Sequence, residues 1–316
     1  MSRIRESDAS IPPAQAGLSE SIAGLALRAS IETSTRNLVE IEGYASLLPA
    51  ATDVYVSCLP DTPYQHILSI AKCLRQVGMN PVPHIAARRL ANAAAAKEFL
   101  ARLRDEAGVT RVLVIAGDSQ AAVGPYISSL AVFETGLLQE HGIRSVGVAG
   151  YPAGHGKIDA QVLMDALDGK IEYARSHGID LFVVSQFCFD GSVVLDWLAK
   201  LRARGVTLPV RVGVAGPATV RTLINYGMRC GIGDSLRAFG SQPESMTRLL
   251  LRHGPETVVR TIAQSAAGLG ITGLHVFPFG GFAASARWIE RVAAGRFRLT
   301  GSDRGFTLDS GTRAEL

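Results

Sequence analysis

Glu32 ends the run LALRASIE (25–32), so an apolar segment delivers a carboxylate to its own end. Buried among apolar neighbours, that carboxyl is expected to have a raised pKa, and a protonated Glu can give its proton to a leaving nitrogen or oxygen. Glu32 reads equally well as a negative charge near a helix N-terminus, satisfied by backbone amides. Asp118 closes VLVIAGDS behind Gly117, which lets backbone approach a ligand; the same Asp118 could instead cap a helix. In SQFCFD, Gln186 can hydrogen-bond a planar heterocycle while Phe187 and Phe189 pack on it, unless both rings are simply core. His84 in VPHIAARR is a candidate base; without HxH, HxxxH or a nearby Cys, no metal is expected. The stretch YPAGHGKI (151–158) sets one aromatic and one imidazole among residues of little bulk, the composition of a loop that holds a ligand against its backbone.

These residues fall at the ends of eight short β-rich runs: 25–32, 53–59, 80–86, 110–118, 144–152, 180–187, 208–216 and 272–279. Segments of helical periodicity, such as YQHILSIAKCLRQVG and VVLDWLAKLRARG, separate them. Strands alternating with helices imply a parallel sheet, and eight such units predict a closed (β/α)8 TIM barrel in a single domain, with a doubly wound open sheet as the alternative. In a barrel the active site lies at the C-terminal strand ends, where Glu32, Ser57, His84, Asp118, Tyr151, His155, Gln186 and the glycines after 279 would converge. The expected organisation is a flexible arm over 1–20, the barrel over 21–295 and a mobile tail over 296–316. The glycines in RVGVAGP and HVFPFGGF fit neither a P-loop nor a GxGxxG fingerprint.

Composition narrows the class. The 32 basic and 28 acidic residues are scattered, so the net charge of +4 marks no phosphate-binding face and nucleic acid is not an expected partner. Four cysteines without a CxxC pair suggest neither zinc nor a disulfide framework and suit a reducing cytoplasm. No apolar run reaches spanning length and the N-terminus has no signal-peptide h-region, so no membrane association is expected.

Taken in order, Glu32, PHI at strand 3, AGD at strand 4, YPAGH at strand 5, SQFCFD at strand 6 and HVFPF at strand 8 resemble the methylenetetrahydrofolate reductase family from about residue 25 to residue 290. The resemblance implies a barrel holding FAD at its mouth and using NADH or NADPH to reduce 5,10-methylenetetrahydrofolate to 5-methyltetrahydrofolate by ping-pong hydride transfer, in one-carbon metabolism. It implies Glu32 as the general acid and Asp118 as the carboxylate beside flavin and folate. Ser57, His84, Ala116, Gly117, Tyr151, His155 and Lys170 fall at cofactor-contacting positions, and Gln186, Phe189, Thr222 and Gly281 at substrate positions. Four places depart from the family pattern: Ala116 replaces the Arg of RGD, TSTRN follows Glu32 where the family has prolines, Gly281 stands where a folate-binding Arg is usual, and Thr222 stands where a folate-contacting Gln is usual. Two alternatives follow, a flavin-free reductase passing hydride directly from nicotinamide to folate, and a non-catalytic folate- or flavin-binding barrel. We expect a homo-oligomer with a small-molecule partner.

Overall fold

Strand segments such as VLVI and LFVV are apolar on both faces, as strands must be when helices cover one side and a barrel interior the other. In the computed structural model they form β1 (Ser30–Thr33), β2 (Asp53–Val56), β3 (Asn80–Ala86), β4 (Arg111–Ile115), β5 (Ser145–Gly150), β6 (Asp180–Ser185) and β7 (Val210–Ala215). The short β8 (Ala218–Thr219) and β9 (Arg252–His253) pair with one another, and β10 (Ile271–Phe277) completes the barrel. The structure describes residues 13–34, 38–59, 62–119, 121–229, 252–301 and 305–309.

The eight long strands close in the ring β1-β10-β7-β6-β5-β4-β3-β2, and every pair in that ring is parallel. The eight-stranded barrel expected from the sequence is therefore the fold, and the open-sheet alternative is excluded by the β1–β10 pairing. Helices on the outer ring start on side-chain caps: Asn92 accepts from Ala95 N, Asp159 from Gln161 N and Asp190 from Ser192 N, each within 2.9 Å.

Alternate residues of each strand point inward. Tyr55, Val82, Leu113, Phe182 and Val184 fill the middle of the barrel as a cluster separate from the outer core. Gly147 leaves the space that Phe182 takes, since a β-carbon there would lie 2.8 Å from the ring. At the N-terminal end Asp53 Oδ2 bridges Arg111 (2.5 Å) and Arg211 (2.9 Å), a charged plug under the apolar layer.

Two boundaries differ from the sequence expectation. Residues 13–20, assigned to a flexible arm, belong to the helix Pro13–Leu27, whose Ile22, Leu25 and Ala26 are buried. In the tail, Phe297–Leu299 and Phe306–Leu308 form an antiparallel pair, and buried Phe297 and Phe306 pack on each other with centroids 4.7 Å apart. Both segments are stabilised by a few apolar side chains spaced among small and polar ones, a pattern too sparse for a periodicity reading. Residues 1–12 and 310–316, the remainder of the expected arm and the tail's end, lie outside the described residues.

Candidate active site

Ser30 and Glu32 share the inward face of β1, two residues apart, as Tyr55 and Ser57 do on β2 and its extension. His84 arrives from β3. Its Nε2 lies 3.1 Å from Glu32 Oε1, a close carboxylate–imidazole contact whose ring geometry is off-line for a hydrogen bond. The Ser57 hydroxyl donates to Thr33 O at 3.0 Å and also faces Glu32; its single proton serves one of them at a time.

Burial alone would push the Glu32 carboxyl up, but the His84 imidazole, with His275 and the Ser57 hydroxyl behind it, holds it below the usual carboxylate range. This corrects the expected rise. The strand delivers the burial, but it is a partner from two strands away that sets the charge, and the pair favours an ionised Glu32.

His275 on β10 lies behind this pair. It is fully buried, its Nδ1 meets Ser30 Oγ at 2.9 Å, and its ring packs edge-on against Tyr55 with centroids 4.5 Å apart. Burial pushes its imidazole down to about 3, against the pull of Glu32. Thr33 Oγ1, Tyr55 Oη and His275 Nε2 are all buried without a hydrogen-bond partner among the described residues. His275, within HVFPF, and Ser30 and Tyr55 were not among the site residues expected from the sequence. The available signal was polar residues recurring at inward parity in otherwise apolar strands.

A second group forms at the ends of β4 and β5. Gly117 has φ of 92°, in the left-handed region, and its α-carbon faces the Ala86 side chain so closely that a β-carbon would come within 3.2 Å of it. Asp118, exposed, acts electrostatically on both Tyr151 and His155. Those two rings meet edge to face, centroids 5.1 Å apart. Burial, with Asp118 adding, pushes the Tyr151 phenol up; burial, with Asp118 opposing, holds the His155 imidazole down. His155 Nδ1 accepts from Lys157 N at 3.2 Å, which fixes that nitrogen as unprotonated. Arg88, also missed from sequence, organises the loop: its backbone N donates to Ala116 O (2.9 Å) and its guanidinium to Ser119 O (3.2 Å) and Ile127 O (3.1 Å).

The remaining candidates scatter. Gln186 N bonds Gly150 O at 2.7 Å, and its side-chain Oε1 accepts from Phe187 N at 3.1 Å, so half of the amide is turned onto its own backbone. Phe189 packs edge-on against Phe187. Phe187, Phe277 and Phe279 pack together with centroids 4.7–5.9 Å apart, and Tyr226 stacks on Phe279 at 4.2 Å. Thr222 shares a 2.8 Å hydroxyl contact with Thr219 at the start of the helix Val220–Arg229. Lys170 faces inward from the helix Ala160–His177 beside Leu167 and Ala174, with no anion against it among the described residues, and burial pushes its amine down to about 8. Gly281 precedes the helix Phe282–Ala293. No hydrogen bond or ion pair joins Asp118, Gln186 or Lys170 to Glu32 among the described residues.

Around the ring the mouth is thus divided. The ends of β10 and β6 carry aromatic rings, whereas those of β5, β4, β3, β2 and β1 carry Tyr151, His155, Asp118, His84, Ser57 and Glu32. Such a surface can hold a flat ring by its face while polar groups reach its edge. Among the described residues no His, Cys, Asp and Glu cluster could hold a metal ion, and no helix is long and apolar enough to cross a membrane.

No protein-family model matches the chain. Among solved structures it is similar to dihydropteroate synthase from Thermus thermophilus, at 14% identity over 83% of this chain and 91% of that one, with a TM-score of 0.45. It is also similar to a conserved Enterococcus faecalis protein of unknown function, at 11% identity over 87% and 69% with a TM-score of 0.44. A third likeness is to 3-dehydroquinate dehydratase from Geobacillus kaustophilus, at 15% identity over 59% and 74% with a TM-score of 0.36.

Proposed function

We propose that the chain is an oxidoreductase that reduces 5,10-methylenetetrahydrofolate to 5-methyltetrahydrofolate with NAD(P)H, or runs the reverse in one-carbon catabolism, with FAD at the barrel mouth. The observation that carries this reading is the Glu32–His84 pair at 3.1 Å, part of the polar arc of strand ends that faces an aromatic one. Bound there, FAD would supply the redox chemistry that carries hydride between nicotinamide and folate. The residues at the ends of β4 and β5 fit such a group: the Tyr151 and His155 rings offer an edge-to-face wall beside the exposed Asp118.

The balance of the reaction assigns work to the pair. The bond from the bridging carbon to N10 breaks as N10 gains a proton, the cation left at N5 accepts one hydride, and NAD(P)+ is released. Glu32, held ionised, stabilises that cation and relays a proton through His84 in place of storing one itself. The acid role expected of Glu32 alone becomes a role of the pair.

Ala116 favours a second reading. With a methyl group in place of a guanidinium, the end of β4 offers FAD no charge-assisted contact, as suits direct transfer from nicotinamide to folate. An absorption spectrum of the freshly purified protein, followed by an assay of methylenetetrahydrofolate-dependent NAD(P)H oxidation, tests both. A yellow protein with saturable turnover is the expected result, and a colourless active one selects direct transfer. A protein without turnover, with or without added FAD, overturns the enzyme reading in favour of a binding barrel.

A further inference from the structure

The glycines of RVGVAGP and HVFPFGGF meet at one corner of the mouth, where the ends of β7 and β10 adjoin. Barrels of this architecture often bind phosphate there, through the loops after the seventh and eighth strands and a helix N-terminus. The parts are present. A β-carbon on Gly280 would collide with Pro217 O, and one on Gly216 with Ser285 Oγ, so both loops approach as bare backbone. Ser285, in the first turn of the helix Phe282–Ala293, is fully buried and its hydroxyl has no partner among the described residues. Gly281 has φ of 106°, which only glycine adopts readily, and this turn frees the amides that follow.

Those amides are already taken. Glu40 Oε2 accepts from Phe282 N at 2.9 Å and lies 3.4 Å from Ala283 N, although Glu40 stands 242 residues earlier, on the helix Leu38–Tyr44 after β1. Its oxygens are 3.7 and 3.8 Å from where a β-carbon on Gly281 would lie. The helix is latched in place at its far end: Arg287 donates to Tyr44 Oη at 3.2 Å and lies over the Tyr44 ring, 4.7 Å from its centroid. The carboxylate thus supplies the negative charge that a helix N-terminus favours.

We infer that Glu40 is an internal anion that closes this corner to phosphate, and so determines ligand class: what enters the mouth carries no phosphate at the β7–β10 corner. The inference is independent of the reaction proposed above. Its test is thermal unfolding and calorimetric titration of the full chain with inorganic phosphate, comparing wild type with E40A, E40S and E42A. Glu42 lies on the same helix without touching these amides, and its thiol neighbour Cys73 is 3.9 Å away. Wild type and E42A should show no saturable phosphate binding. E40A should gain it, with a midpoint that rises with the logarithm of phosphate concentration, and E40S serves should E40A not fold. Saturable binding to wild type overturns the inference, as does its absence from a folded E40A or E40S, or an equal gain in E42A.

Discussion

Glu32 Oε1 and His84 Nε2 stand 3.1 Å apart, the one partly exposed and the other buried, on strands separated in the ring by β2. The contact joins a partly exposed carboxylate of the barrel interior to an imidazole that solvent scarcely reaches. If the pair handles the folate proton, Glu32→Gln leaves flavin reduction by NAD(P)H within about twofold while the folate half-reaction falls by roughly 10²–10⁴. His84→Gln should show the same split. Stopped-flow measurement of each half-reaction decides, and equal losses in both would remove the pair from proton transfer.

Much of the site's scaffold was legible in the sequence, because eight apolar runs with polar or glycine ends read as parallel strands feeding a rim, and only the β1–β10 pairing was needed to close the sheet into a barrel. The charge state of Glu32 was not. Its burial is a local property of β1, but His84 and His275 are contributed by segments tens and hundreds of residues away, and only the closed ring brings them together. Arg88 was hidden for a related reason. Its function is to bond the carbonyls of Ser119 and Ile127, and a backbone acceptor leaves no trace in residue type. The helix Pro13–Leu27 escaped notice because its small and hydroxyl residues look like a linker and its last turn, residues 25–27, read as the start of the first strand, which begins only at Ser30.

Asp118 and Arg88 separate charge from loop placement. Asp118→Asn keeps the shape and removes the field felt by Tyr151 and His155, so flavin reduction and folate turnover should fall together, by about tenfold or more. Arg88→Ala should instead free the 116–127 loop, raising KM more than it lowers kcat, with faster amide hydrogen exchange confined to that loop. Wild-type kinetics in the Asp118→Asn variant would return Asp118 to a loop-capping role.

Lys170 carries a conflict between stability and binding. Its amine titrates near 8 in the folded chain and near 10.5 when exposed, so the unfolded chain binds the proton more readily. Burial of the charge therefore costs the fold about 3 kcal/mol at neutral pH, a cost that fades as pH rises from about 8 to 10.5. Lys170→Met should raise the unfolding midpoint at pH 7 while weakening retention of FAD. Calorimetric scans and flavin content after dialysis read the two effects, and a variant that is neither more stable nor poorer in flavin would make Lys170 an ordinary core residue.

His275 sets an acid limit on the fold. The folded imidazole, at about 3, stays neutral through the range in which the unfolded one, at 6.5, takes up a proton. Protons thus favour the unfolded chain between those values, and stability falls by about 1.4 kcal/mol per pH unit from this residue as pH drops below 6.5. Glu32 acts in the same direction further down: its folded carboxyl lies below 4.5, so stability present above that value is lost as the carboxylate is protonated. Urea unfolding between pH 7 and 4.5 should give a shallower slope of stability against pH for His275→Asn than for wild type, even though the variant starts out less stable for want of the Tyr55 packing and the Ser30 contact. Parallel slopes would mean that the folded chain already protonates His275, and with it that the imidazole draws more from Glu32 than burial takes away.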